Sequence, residues 1–188
     1  MRRICVVLIA TSSLLACALR AQVTNIPLTE LETFEAQTGT VIVKGAGQTG
    51  SLTVGAMDIT VLSKESLNVN TGQKACGAAI EFTENNRRVW KTVIDYDEMD
   101  ALLNGLNYLA RIDYKVTTLP TFVAGHTTKA GFRVGAYTSQ QRGAIQFFLQ
   151  AGSADNTTRI LITPAQLAQF QSLIEQTRKN LDALRTSR

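Results

Sequence analysis

"VIDYDEMDALLNGL" (residues 93–106) and "LITPAQLAQFQSLI" (residues 161–174) follow one grammar, and that grammar decides the fold. Each begins at the end of an apolar strand, "TVI" in one and "RILI" in the other. Each then breaks at a polar residue and continues with apolar side chains at helical spacing. In the first, Asp95 stands as an N-cap with Glu98 three residues on, and Met99, Leu102, Leu103, Leu106 and Leu109 form the stripe. In the second, Thr163 caps, Pro164 suits the first helical position, and Gln166 completes a capping box. Leu167, Phe170, Ile174, Leu181 and Leu184 carry that stripe onward.

Working outward, two more pairs of segments match in the same order. "AIEF" (79–82) aligns with "AIQF" (144–147), and "SLTVGAM" (51–57) aligns with "GFRVGAY" (131–137). Matched order with loop-sized drift in spacing points to an internal duplication. The strands of the first half are read at "TVIVKGA" (40–46), in "SLTVGAMDITVL", and in a hairpin "ACGAAIEFTENNRRVWKTVI". Asn85 and Asn86 supply the turn of that hairpin, and Ala78, Ile80 and Phe82 share one face. In the second half, "IDYKVTT" (112–118) reads as the first strand, followed by "GFRVGAYTS" and "RGAIQFFLQA". Thr29 with Glu32 marks a short helix that ends before Gly39.

The expected fold is α+β. A segment 22–39 with a short helix precedes two ββββα-like repeats, 40–111 and 112–188, that form one compact unit. Each repeat is an antiparallel sheet with one helix packed on one face. "RILITPAQLAQFQSLIEQ" resembles the final strand and helix of the ββββα repeats in PUR-type single-strand nucleic-acid-binding domains. The resemblance is one of topology, over most of the chain after its leader. It implies a nucleic-acid-binding open sheet, a function that needs a basic groove with stacking aromatics.

Residues 1–21 read as a secretory signal peptide. Arg2 and Arg3 precede an apolar run of 16 residues, "ICVVLIATSSLLACAL", and small residues follow. The chain is therefore expected to be exported, either secreted or periplasmic. Two processing routes stay open. Ordinary cleavage would follow Ala18 or Ala21; cleavage after Ala16, preceded by Leu14 and Leu15, would leave Cys17 as the lipidated first residue of a membrane-tethered lipoprotein. The formal charge of +4 lies mostly in this leader, since removing Arg2, Arg3 and Arg20 leaves sixteen basic against fifteen acidic side chains. A charge near +1 gives no electrostatic ground for binding nucleic acid. Cys5 and Cys17 go with the leader, so Cys76 has no disulfide partner and reads as a small buried hydrophobe.

The chemistry-bearing residues are sparse. His126, the one histidine, sits in "AGHTTKAG" and reads as a solvated loop residue. "DYDEMD" gathers Asp95, Asp97, Glu98 and Asp100, which the helix reading explains as first-turn acids that complement the macrodipole. "GAGQTG" (45–50) lacks the lysine ending of a phosphate loop and reads as a hairpin or loop connection. Gly55 and Gly135 read as strand glycines at bulges or close backbone packing, and "NTT" (156–158) is formally a glycosylation sequon. Phe148 and Trp90 are candidates for an apolar patch on an uncovered sheet face, a surface for a protein partner or for self-association.

No catalytic, cofactor-binding or metal-ligating residue is assigned, and no cofactor is expected. The leading expectation is an exported non-catalytic domain serving as a binding, assembly or envelope-structural module. Two alternatives stand beside it: an exported enzyme whose carboxylates converge only on folding, and a single-strand nucleic-acid binder using an open sheet face.

Overall fold

A computed structural model describes residues 28–85, 87–139, 144–153 and 156–186. The leader, Cys17 and the three cleavage positions Ala16, Ala18 and Ala21 lie outside the described residues, as do Asn86 and the side chains of the 156–158 sequon.

Helix α1 (Glu30–Glu35) starts where the capping box was read. Thr29 Oγ1 accepts the Glu32 N–H at 3.1 Å, and the Glu32 carboxylate accepts the Thr29 N–H at 3.0 Å. Strands β1 (Ile42–Val54), β2 (Met57–Asn68), β3 (Lys74–Glu84) and β4 (Arg87–Asp95) form an antiparallel meander in that order. A 3-10 turn, Tyr96–Glu98, leads into α2 (Met99–Leu109). The second meander comprises β5 (Val123–Thr127), β6 (Arg133–Ser139), β7 (Ala144–Ser153) and β8 (Asn156–Ile162), and α3 (Pro164–Thr186) closes the chain. Two four-stranded antiparallel sheets, each followed by a helix, make the α+β fold that the paired segments encode. "AIEF" and "AIQF" fall on the third strand of each sheet, and the two strand–cap–helix segments fall on equivalent junctions.

The third matched pair does not correspond. Val54, Gly55 and Met57 span the β1–β2 hairpin, where Gly55 takes φ +61° in a two-residue turn, whereas Val134 and Gly135 lie inside β6. "GAGQTG" is no loop either: it is the middle of the 13-residue strand β1, with a bulge between Gln48 and Gly50. The bulge frees Thr49 to bond Ser63 at 3.1 Å and the buried Thr177 of α3 at 3.1 Å. Gly50 has no Cβ because Leu173 lies 2.6 Å from where one would sit. "IDYKVTT" is likewise no strand. Asp113 accepts the Lys115 N–H at 2.8 Å and caps a 3-10 turn at Tyr114–Val116, so the first strand of the second sheet begins only at Val123.

The helices exchange sheets. α3 lies over β1, β2 and β3 of the first sheet, α2 lies over β5 and β6 of the second, and the two helices touch each other. Phe170 of α3 packs on Phe132 at 6.0 Å, and Phe132 packs on Phe82 at 6.4 Å, which joins both halves in one core. The stripes read from sequence are buried there: Met99, Leu102, Leu106 and Leu109 on α2, and Leu167, Phe170, Ile174 and Leu181 on α3. Among the described residues no helix is long and apolar enough to cross a membrane.

Candidate functional site

The acids of "DYDEMD" disperse to different partners. Asp95, 1% exposed, turns its carboxylate to the start of α1, where Oδ2 accepts the Glu30 N–H at 2.7 Å and Oδ1 accepts the Leu31 N–H at 3.0 Å. It thus caps α1 across 65 residues of sequence, a role the first-turn reading did not contain. Glu98 does return to the Asp95 N–H, at 3.3 Å, and its other oxygen accepts the Lys129 N–H at 2.7 Å. Asp100 pairs with Arg178 of α3 at 3.0 Å.

Three carboxylates, those of Glu30, Asp95 and Asp97, bring oxygens within 4.8 Å of one another, a spacing able to hold a cation. The Lys129 ammonium occupies that position, 2.9 Å from Asp97, 3.3 Å from Asp95 and 3.6 Å from Glu30. Its hydrogen bond to Asp97, aided by Asp95, raises its pKa, so the ammonium stays charged. A cleft of about 710 Å³ with a mixed lining opens alongside, bordered by Asp95, Tyr96, Cys76 and Arg185 among others. Burial pushes the Cys76 thiol up, and the Glu65 carboxylate adds to the effect, which keeps the sulfur protonated and a poor nucleophile. Both Asp95 oxygens are held by backbone donors, so proton abstraction by this carboxylate would have to break the α1 cap.

His126 belongs to β5 rather than to a loop. Its side chain rests on Gly105 of α2, where a Cβ would lie 2.9 Å from His126 Cβ. A groove of about 260 Å³ runs there between α2 and β5, bordered by Tyr108, Leu109, Ala124 and Gly125.

The two sheets differ on their outer faces. α1 covers that of the first sheet: Glu35 pairs with Lys64 at 2.6 Å and accepts the Ser66 hydroxyl at 2.9 Å, Asn68 bonds Gln37 at 2.7 Å, and Leu31 sits over Gly77. Trp90, opposite Phe82 in the ladder, turns inward to the core. No described helix lies over the outer face of the second sheet. Its central cross-strand row is Gly125, Gly135, Phe148 and Leu161, flanked by a row of Thr127, Arg133, Gln150 and Arg159.

Phe148 points outward, as the alternation predicts, but it is 0% exposed. Its ring lies over Gly135, where a Cβ would meet Cζ at 2.5 Å. The Arg159 guanidinium sits 4.5 Å from its centroid, Arg133 5.7 Å and the Tyr137 ring 6.1 Å. Gln150 fixes Arg159 through bonds of 3.2 and 3.0 Å. The expected exposed aromatic is therefore a buried spine beneath two arginines. Val123 and Leu161, 65% and 49% exposed, border it. The outward positions named in these strands carry no carboxylate.

Sequence reasoning missed Lys129, Arg133 and Arg159, because isolated cations in polar or strand contexts carry no spacing signal. Gly125 and Gly135, paired across β5 and β6, were the available clue, since adjacent strand glycines mark a place where other side chains lie flat on the sheet. No protein-family model and no curated protein matches this chain.

Proposed function

We propose that the chain is an exported, non-catalytic binding module whose working surface is the outer face of the second sheet. The observation that supports this is the Arg133–Phe148–Arg159 arrangement: two guanidiniums held in place by a ring and by Gln150, on a sheet face that no described helix covers. Pre-positioned arginines suit a protein surface, since arginine is among the residues that carry most of the binding energy, and exposed Val123 and Leu161 border them. The same arginines are what a single-strand nucleic-acid binder would present. Base stacking, however, needs an open ring, and both Arg159 and Gly135 cover Phe148. The carboxylate-enzyme alternative meets Lys129 inside its only described acidic cluster.

A photo-crosslinking residue at Leu161, introduced in the native host, tests the proposal against the same residue at Gln176 on α3. A discrete protein adduct from position 161, absent from 176 and lost on Arg159→Glu, is the expected result. Equal labelling from both positions, or substrate turnover by the purified protein that disappears with Asp97→Asn, would overturn it.

A further inference from the structure

Among the described residues, strand β5 is the outermost strand of the second sheet and pairs only with β6. Its pairing alternates. Phe122 C=O accepts the Thr138 N–H at 3.1 Å, and the Thr128 N–H donates to Phe132 C=O at 2.9 Å, so even-numbered residues face β6. The N–H and C=O groups of Val123, Gly125 and Thr127 therefore point out of the free edge. An edge of this kind is a template for another strand.

Both sides of that edge are furnished. On the inner side lies the groove of about 260 Å³ between β5 and α2, with Tyr108 54% exposed at its rim. A second hollow of about 400 Å³ continues past Tyr108 and carries Arg111 and Lys115. On the outer side the Arg133 guanidinium reaches across β5: a Cβ on Gly125 would lie 2.7 Å from its Nε and 3.3 Å from its Nη2. That Nε is buried without an acceptor. Neighbouring strands lie about 4.8 Å apart, so a side chain opposite Gly125 on an added strand comes within reach of the outer guanidinium nitrogens. Arg133 stands at the edge itself, and in the adjoining hollow Arg111 and Lys115 outnumber the one acid, Asp113. The charge is complementary to an acidic strand.

We propose that the β5 edge docks an extended, acidic segment of a protein partner as a fifth strand. One carboxylate of the segment pairs with Arg133, and an alternate apolar side chain enters the groove beside α2. The inference rests on the reading of the second sheet as the binding surface, and it names the partner's conformation and charge.

The test uses the full chain, labelled with ¹⁵N, and a capped synthetic hexapeptide of alternating glutamate and valine. A matching lysine–valine peptide is the control. Binding should shift the amides of Val123, Gly125 and Thr127 and slow their exchange with solvent about tenfold or more, while the lysine peptide leaves them unmoved. Thr127→Pro removes one outward N–H at an edge position, where proline is tolerated. Arg133→Gln removes the ion pair and leaves the backbone ladder intact. Each should weaken the peptide about tenfold with native spectra elsewhere. Equal binding of the two peptides, no shift along β5, unchanged affinity in both variants, or sedimentation showing β5 paired with a second copy would each overturn the proposal. A partner adduct at Leu161 together with an unperturbed β5 edge would overturn this inference and leave the broader reading standing.

Discussion

Replacing Asp95 by alanine should unfasten α1 from the body of the protein. Two hydrogen bonds from the N–H groups of Glu30 and Leu31, at 2.7 and 3.0 Å, and the Lys129 ammonium at 3.3 Å converge on this 1% exposed carboxylate. A hydrogen bond to a charged acceptor contributes about 1.5–3 kcal/mol. The low end applies here, because α1 has only six residues and its first turn can rehydrate when released. Lys129 keeps Asp97 and Glu30, so its own loss is small. The sum is about 3 kcal/mol. With a urea dependence of about 2 kcal/mol per molar, the unfolding midpoint should fall by about 1.5 M. Asp95→Asn keeps one oxygen but turns an NH₂ toward the other N–H, and so recovers at most about half of the loss. Hydrogen exchange at the Leu31 amide should speed up in both variants. If both midpoints stay within about 0.3 M of the parent, Asp95 is not the cap described here and the reasoning fails.

Three further outcomes are expected. Burial raises the Glu35 carboxyl, but hydrogen bonds from Lys64, Ser66 and Lys44 outweigh it and hold the pKa below its ordinary value. Its contribution is therefore complete above the ordinary carboxylate range and is lost as pH falls through the lower, folded value; Glu35→Gln should flatten that acid limb in a stability–pH profile. Gly135→Ala places a methyl 2.5 Å from Phe148 Cζ and 2.6 Å from Ala124 O, and should cost about 2 kcal/mol or more. Gly50→Ala meets only the mobile end of Leu173 and should cost about half that, so thermal melting should rank the two in this order. Tyr96→Leu removes stacking by Arg178 at 4.1 Å and Arg185 at 3.8 Å, as well as the hydroxyl bond to Asp182. It should cost about 2 kcal/mol and raise amide exchange in the last turns of α3 while its first turns stay protected.

Local signals were legible wherever the deciding atoms lie within a few residues of each other. Thr29 with Glu32 and Thr163 with Gln166 cap as their spacing demands, and Asn85 turns the β3–β4 hairpin at φ 48°. The misreadings share a cause. "GAGQTG" has the composition of a loop, yet it runs as strand because α3 lies against it and Leu173 needs the space above Gly50. "IDYKVTT" alternates like a strand, but the side chain of Asp113 reaches the Lys115 N–H first and winds a turn. His126 sits among small polar residues and still falls on a strand, because Gly105 on α2 admits it.

The sequence by itself determined the two strand–cap–helix junctions, the hairpin strands beside them and the buried helix stripes, since periodicity and caps act over one or two turns of chain. Only the tertiary structure decided that the helices exchange sheets, that Asp95, besides heading the turn before α2, also caps α1, that Lys129 fills the acidic cluster and that two arginines close over Phe148. Each of these is a pairing between residues distant in the chain, Phe170 with Phe132 or Asp95 with Leu31, chosen by shape and charge once the elements meet. Nothing in the neighbouring residues of either partner encodes that choice.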